Sequence, residues 1–190
     1  MATGIDGARA DVRGRAVRTV VIALRRARTV DVDWLVALYS SDDVEPFLSG
    51  RRPRDAETIA AEIERSEREP ELSGLMLIEV DGARAGALAY EEVSGPHRIV
   101  HLEGLAVDPD FRGRRLADDA ARLAQRYLVD ELGYHRIELA CYGFNERAIA
   151  HAERSGFVRE GVKRRAFLRH GEWQDAVLFA LLAEELSRDG

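Results

Sequence analysis

Apolar residues recur along the chain at two different spacings, which predict strands in some segments and helices in others. Short runs of aliphatic and β-branched residues, several of them alternating with polar residues, predict strands at 19–24, 75–80, 83–90, 99–107, 136–141, 158–168 and 173–182. Apolar residues spaced three and four apart predict amphipathic helices at 29–40, 54–69, 114–130 and 145–155. This order of about seven strands and about four helices predicts one mixed α/β domain over 19–190. The leader at 1–18 is poor in large apolar residues, and we expect it to be flexible.

The segment from His101 to Asp130 carries the clearest sign of a binding site. A strand over 99–107 ends at Asp108-Pro109, because proline fixes φ for the first corner of a turn and aspartate suits the position before it. An arginine- and glycine-rich loop follows, and then a helix begins. Several backbone N–H groups converge where such a loop meets a helix N-terminus, so this place is predicted to bind phosphate.

Composition excludes several function classes. The 190 residues are 46% hydrophobic, which is enough for one buried core. The net charge of -6 and the pI near 5.5 do not indicate a basic surface that would bind nucleic acid or an anionic membrane. Cys141 is the only cysteine, so neither a disulfide framework nor a zinc ribbon is expected. His97 and His101 are four apart, but they lie in a loop that leads into a strand and not on the helix that a metal pair needs. The longest apolar run, 176–183, is too short to span a membrane. The N-terminus lacks the apolar core of a secretory signal, so we expect a cytoplasmic protein.

The loop resembles a known cofactor-binding signature. The sequence Arg112-Gly113-Arg114-Arg115-Leu116-Ala117 is similar to the acyl-CoA-binding motif R/Q-x-x-G-x-G/A of the GCN5-related N-acetyltransferase (GNAT) family. Arg115 stands where the central glycine is usual, so its side chain either swings out toward another phosphate of the cofactor or weakens the cradle. Two further segments resemble the family in the right order: 145–157, similar to Asn-x-x-Ala…Gly-Phe, and the closing hairpin at 171–175, similar to that of the RimJ/RimL-like branch. The resemblance covers roughly 19–182 and implies a GNAT fold with a mixed, mostly antiparallel sheet.

The resemblance also implies that an amine attacks the thioester of acetyl-CoA directly, and it gives roles to particular residues. Backbone groups of the loop would bind the pyrophosphate, and the strand before the loop would hold the pantetheine arm, with a bulge or close backbone approach at Gly104. Asn145 would contact the same arm and also cap its helix. The implied cofactor-binding residues are Leu105, Ala106, Val107, Arg112, Gly113, Arg114, Arg115, Leu116, Ala117 and Asn145. No metal is expected to take part.

Glu103 is the expected catalytic residue, because it stands where several family members carry a glutamate that removes the proton of the substrate ammonium. His101, two residues earlier on the same face of the strand, is the alternative base. Ala152 stands where many members carry the tyrosine that protonates the departing thiolate. That role therefore stays unassigned, with Tyr142 and Cys141 as open candidates.

The expected function is acetyl-CoA-dependent N-acetylation of a primary amine on a small molecule. Acids in the loops that should flank the cleft would favour a cationic acceptor: Asp42, Asp43, Glu45, Glu91 and Glu92. Two alternatives stay open, namely acetylation of a protein N-terminus and a non-catalytic acyl-CoA-binding module. The resemblance also leaves a homodimer open.

Overall fold

The computed structural model describes residues 3–5, 20–48, 55–113 and 115–186. Within these ranges the chain forms four α-helices, which are α1 (Val32–Tyr39), α2 (Ala56–Arg68), α3 (Leu116–Arg126) and α4 (Glu146–Arg154). A π-helical turn, Tyr127–Glu131, extends α3. The strands in the same ranges are β1 (Thr3–Ile5), β2 (Ile22–Arg26), β3 (Ser73–Val80), β4 (Ala83–Ser94), β5 (Ile99–Val107), β6 (Arg136–Tyr142), β7 (Val158–Arg169) and β8 (Glu172–Leu182). No helix in this part of the chain is both long and apolar enough to cross a bilayer.

All of these strands belong to one sheet, in the order β1-β2-β3-β4-β5-β6-β8-β7. Every neighbouring pair is antiparallel except β5 and β6, which confirms the predicted mixed, mostly antiparallel α/β fold. β1 comes from residues 3–5 of the predicted leader and pairs with the start of β2. The other leader residues lie outside the described ranges, so the flexibility of the leader stays a prediction.

Helices cover both faces of the sheet, and each face has its own apolar core. On one face, Leu123 of α3 packs in a cluster that contains Val100 of β5 and residues of α4. On the other face, Ile59 and Ile63 of α2 are buried with Leu77 of β3, as their four-residue spacing predicted. The side chains of each central strand therefore alternate between two cores, and burial of this apolar area stabilises the three-layer arrangement.

The one parallel pair in the sheet opens along its length. β5 and β6 are paired only at Ile99–His101 and Arg136–Glu138, after which the two strands diverge. On its other side β5 carries an irregularity in its register with β4, where Gly104 adopts a left-handed φ of 67°. The bulge expected at Gly104 is therefore present. It frees β5 backbone from regular pairing where the sheet opens.

Candidate active site

A cavity of about 1390 Å³ occupies the opening between β5 and β6. Its walls come from both strands, the start of α3, α4, the loop after α1 and the hairpin of β7 and β8. Every residue of the predicted cofactor set that the structure describes lines this cavity, and so do Glu103 and His101. Arg114 lies outside the described residues. The structure therefore brings together residues that were chosen from separate motifs.

The loop between β5 and α3 leaves backbone N–H groups open beside the cavity. Gly113 has a left-handed φ of 80°, and α3 then begins at Leu116 without a side-chain cap from the described residues. The N–H groups of Asp118 and Asp119 donate to the carbonyl of Arg115, at 3.0 and 3.2 Å. The first N–H groups of a helix have no partner within it, so those at the start of α3 remain available to an anion.

Arg115 takes the backbone conformation of the glycine that it replaces. Its φ of 58° and ψ of 20° lie in the left-handed region, so the turn before α3 keeps the shape that a glycine would give it. Its side chain is exposed and lines the cavity. The backbone turn expected at this position is thus present, and a guanidinium lies at its edge.

Arg112 contributes its side chain to the architecture of the loop. Nε donates to the carbonyl of Val107 at 3.2 Å, and Nη1 lies 3.5 Å from Oδ1 of Asp43. These contacts connect the loop both to the end of β5 and to the loop after α1. The first residue of the motif therefore holds the two sides of the cavity mouth together.

Glu103 lies on the side of the sheet that faces α1 and α2. The strand register puts it opposite Ala89, which packs in the core under these helices. His101 lies two residues earlier on β5, opposite Glu138 of β6. Both side chains are half-buried in the cavity lining, so both candidates for a base face the same space.

Only some of the acids expected beside the cleft lie in the lining of the cavity. Asp43, Glu91 and Glu92 line the cavity, and Glu91 accepts a hydrogen bond of 2.6 Å from Arg65. Glu45 instead pairs with Nη2 of Arg169 through Oε1 at 2.6 Å. Asp42 is exposed and is not one of the lining residues. Among the described residues, no three His, Cys, Asp or Glu side chains are placed to hold a metal ion.

Asn145 caps α4 while it lines the cavity. Its Oδ1 accepts the N–H of Ala148 at 3.0 Å, which leaves the NH₂ end of the amide for a ligand. Further along α4, the Ala152 that replaces the usual tyrosine is only 1% exposed and packs in the core. Capping and cofactor contact are therefore compatible at Asn145, whereas the hydroxyl of a tyrosine is missing from α4.

His151 forms a pair with Asp118 that no sequence motif predicted. Nδ1 of His151 lies 2.8 Å from Oδ1 of Asp118, and Arg154 approaches the same oxygen at 3.6 Å. Burial lowers the pKa of His151, so at neutral pH the imidazole is uncharged and Nδ1–H donates to the carboxylate. The pair links α3 to α4 across the cavity lining.

Cys141 and Tyr142 both line the cavity, but neither is a good acid. Burial raises the pKa of the Cys141 thiol to about 11 and also raises the pKa of Tyr142. An ordinary thiol has a pKa of about 8.5, so proton transfer from Cys141 to a CoA thiolate would run uphill. The two open candidates for the acid are therefore weak ones.

Four aromatic residues form a surface at the end of β6, which we call the aromatic wall: Phe47, Tyr142, Phe144 and Phe167. The ring centroid of Tyr142 lies 5.0 Å from that of Phe144 and 5.3 Å from that of Phe167. The ring centroids of Phe47 and Phe144 are 6.4 Å apart. The guanidinium of Arg147 lies 5.8 Å from the centroid of Phe47. The wall joins residues nearly a hundred positions apart, so the sequence pattern gave no signal for it.

Comparison with known proteins identifies a family match over most of this site. The model described as "Acetyltransferase (GNAT) family" matches residues 35–157, close to two-thirds of the 190-residue chain. The matched span contains β5, α3, β6 and α4, which together form most of the cavity.

Two curated relatives match a shorter part of the chain. The spermidine N(1)-acetyltransferase of Escherichia coli K12 is 28% identical over 109 residues, which cover 57% of this chain and 58% of that protein. The putative ribosomal N-acetyltransferase YdaF of Bacillus subtilis is 28% identical over 105 residues, which cover 55% of this chain and 57% of that protein. The chain thus spans a little over half the length of these two relatives.

Solved structures match over nearly the whole chain. The spermidine N-acetyltransferase of Vibrio cholerae in complex with CoA and spermine has a TM-score of 0.77 at 19% identity, over 87% of this chain and 97% of that one. RimJ of Mycobacterium smegmatis in complex with CoA-disulfide has a TM-score of 0.77 at 25% identity, over 88% of this chain and 85% of that one. At 19% identity, the first match shows a shared fold.

Proposed function

The chain belongs to the acetyltransferase (GNAT) family, and we propose that it transfers the acetyl group of acetyl-CoA to a primary amine on a small molecule. One observation carries this proposal: the opening between β5 and β6 leads to the start of α3, where backbone N–H groups are open. An acyl carrier whose long pantetheine arm is joined to a pyrophosphate suits this combination of slot and anion site. Because acetyl-CoA is an intracellular metabolite, the proposal includes a cytoplasmic location, and assembly as a homodimer stays a prediction.

We assign the contacts that such a donor needs to particular described residues. The N–H groups of Leu116 and Ala117, with the guanidinium of Arg115 beside them, would hold the phosphates. The strand residues after the bulge and the amide of Asn145 would hold the pantetheine arm. Acetyl-CoA supplies an activated thioester, so the protein's main task is to position two substrates.

In the proposed reaction the amine nitrogen attacks the carbonyl carbon of the thioester. A C–N bond forms, the C–S bond breaks, and CoA leaves as a thiolate. Glu103 accepts the proton that the substrate ammonium must lose before it can attack, with His101 as the alternative acceptor. The thiolate leaves without an acid from α4, which is feasible because the pKa of a thiol is only about 8.5, and the second excess proton of the nitrogen passes to solvent as the amide forms.

Acetylation of a protein N-terminus is the second candidate. The names of two similar proteins, the RimJ structure and the putative ribosomal enzyme YdaF, favour it. A peptide would need to lie across the cavity mouth, whereas a small amine would enter it. Rates with short peptides and with small amines, measured at the same acetyl-CoA concentration, separate the two candidates.

The change Glu103→Gln tests the mechanism. We expect kcat to fall about 100-fold, because general base catalysis contributes at least this much. The activity that remains should rise with pH, since only the free amine in solution can then react. Glu131→Gln, an exposed change after α3, is the matched control and should leave kcat unchanged. Binding of acetyl-CoA by calorimetry should be the same in all three proteins.

Wild-type activity in Glu103→Gln would show that this carboxylate is not the base, and His101→Asn would then be examined for the same pH dependence. CoA binding without thiol release over a broad panel of amines and peptides would favour a non-catalytic acyl-CoA-binding module.

A further inference from the structure

The proposed reaction makes no use of the aromatic wall, although three of its rings line the cavity: Phe47, Tyr142 and Phe167. Phe47 is 43% exposed and Phe144 is 47% exposed, so two adjacent rings of the wall face water. A ligand that covers exposed aromatic surface removes it from water, which contributes favourable binding free energy. Stacked or tilted contacts between rings add to that contribution. The wall is therefore a binding surface for an apolar or aromatic group.

The register of the sheet gives the separation between the wall and the proposed base along the strand direction, to which the divergence of β5 and β6 adds a sideways component. His101 and Glu138 are paired across β5 and β6. Glu103 lies two residues beyond this level on β5, about 7 Å along the strand, and Tyr142 lies four residues beyond it on β6, about 13 Å. Along the strand direction the wall therefore begins about 7 Å past Glu103.

The charges around the wall distinguish between kinds of amine. Arg147 is stacked on Phe47, and Lys163 also lines the cavity. A second ammonium group that lay along the wall would be repelled by these cations, whereas Asp43, Glu91 and Glu92 in the same lining would attract an ammonium placed beside them. An uncharged ring meets no such penalty and also gains from the neighbouring guanidinium, since cations are attracted to aromatic faces.

We infer that the acceptor is a primary amine joined by a two- or three-atom linker to an aromatic ring. The ring stacks on the aromatic wall while the amine reaches Glu103 and the thioester. This inference rests on the proposed function, and it separates this chain from the relatives that are named for spermidine, an aliphatic polyamine.

The first experiment compares three amines at saturating acetyl-CoA: 2-phenylethylamine, butylamine and spermidine. Butylamine has one ammonium and no ring, and spermidine has three amine groups and no ring. We expect kcat/KM for 2-phenylethylamine to exceed that of each of the others at least ten-fold, because only this amine buries a ring on the wall.

The second experiment changes the wall. Phe47→Ala and Phe167→Ala should each raise KM for 2-phenylethylamine about ten-fold, with a much smaller rise for butylamine and little change in KM for acetyl-CoA. Trp173→Ala is the matched control, because this ring is 53% exposed but does not line the cavity. Its kinetic constants should equal those of the wild type.

Calorimetry of 2-phenylethylamine with the CoA complex gives a readout that does not depend on turnover. Binding by the wild type, weakened about ten-fold by Phe47→Ala, supports the inference even if no amine is acetylated. Absence of binding, or a kcat/KM for spermidine equal to that of 2-phenylethylamine, overturns it. If butylamine or spermidine still releases thiol in that case, the inference fails while the proposed function stands.

Discussion

Arg115 allows the backbone and the side chain of the phosphate loop to be examined separately. Its left-handed conformation, with φ at 58°, costs a residue with a side chain about 1–2 kcal/mol. Glycine avoids this cost but loses about 0.5–1 kcal/mol of chain entropy on folding. Arg115→Gly should therefore stabilise the protein by about 0.5–1 kcal/mol, which raises Tm by roughly 1–4 °C. Arg115→Ala keeps the strain and should leave Tm nearly unchanged.

The same two variants should weaken cofactor binding equally, because both remove the guanidinium at the edge of the cradle. A partly solvated contact between an arginine and a phosphate contributes about 1 kcal/mol, so the Kd of acetyl-CoA should rise about five-fold in each variant. The loss should shrink at high salt, since exposed charges are screened.

Calorimetry with acetyl-CoA and with dephospho-CoA, at low and high salt, measures these effects and shows whether the 3′-phosphate is involved. If the guanidinium binds the 3′-phosphate, the variants and the wild type will bind dephospho-CoA equally. Tighter binding of acetyl-CoA by Arg115→Gly than by the wild type would mean that the side chain obstructs the cradle. A fall in Tm for Arg115→Gly would refute the argument from the backbone conformation.

Two further predictions concern buried groups. Asp31 is fully buried and pairs with Arg25 and Arg84, which help to hold the pKa of its carboxyl at about 2. Because this pKa is below the ordinary value, the carboxylate contributes about 2 kcal/mol to the stability of the folded protein above pH 4. This contribution is lost as the pH falls toward 2. In urea unfolding at pH 7, Asp31→Asn should cost about 3 kcal/mol, whereas Asp119→Asn in an exposed pair should cost less than about 0.5 kcal/mol, and equal costs would contradict this reasoning. Cys141 is half-buried and its thiol pKa is raised to about 11, so the thiol should react with a disulfide reagent at pH 8 more slowly in the native protein than in the unfolded chain, and equal rates would contradict this reasoning.

Local sequence patterns predicted the elements because their causes are local. The strands predicted at 75–80 and 83–90 are separated only by Asp81-Gly82, a pair typical of tight hairpins, and both residues have the positive φ values, 50° and 80°, that such a turn requires. The spacing of Ile59 and Ile63 predicted the buried face of α2 in the same way. These features depend on residues within a few positions of each other, so the sequence was sufficient.

Boundaries were wrong where distant contacts decide them. The strand predicted at 19–24 is β2, Ile22–Arg26, because Arg25 pairs with Glu79 of β3 and Arg26 donates to Tyr90 and Tyr127. The helix predicted from 29 starts with a 3-10 turn, Thr29–Asp31, whose aspartate accepts the N–H of Arg28. The strand predicted at 83–90 continues to Ser94, because β5 pairs with it that far.

The same distinction between local and distant causes applies to the residues of the candidate site. The loop from Arg112 to Ala117 and the bulge at Gly104 could be predicted, since each lies in a contiguous motif. The pair of His151 and Asp118 joins residues 33 positions apart, and it depends on how α3 packs against α4. No periodicity or spacing in one sequence gives that information, and the aromatic wall was missed for the same reason.

The central claim, acetyl transfer in the opening between β5 and β6, is tested most directly by following free thiol and N-acetylated product together. With saturating acetyl-CoA and a primary amine, we expect the two to appear in equal amounts with the wild type and about 100-fold more slowly with Glu103→Gln. Saturable binding of acetyl-CoA without thiol release from any amine or peptide would contradict the claim.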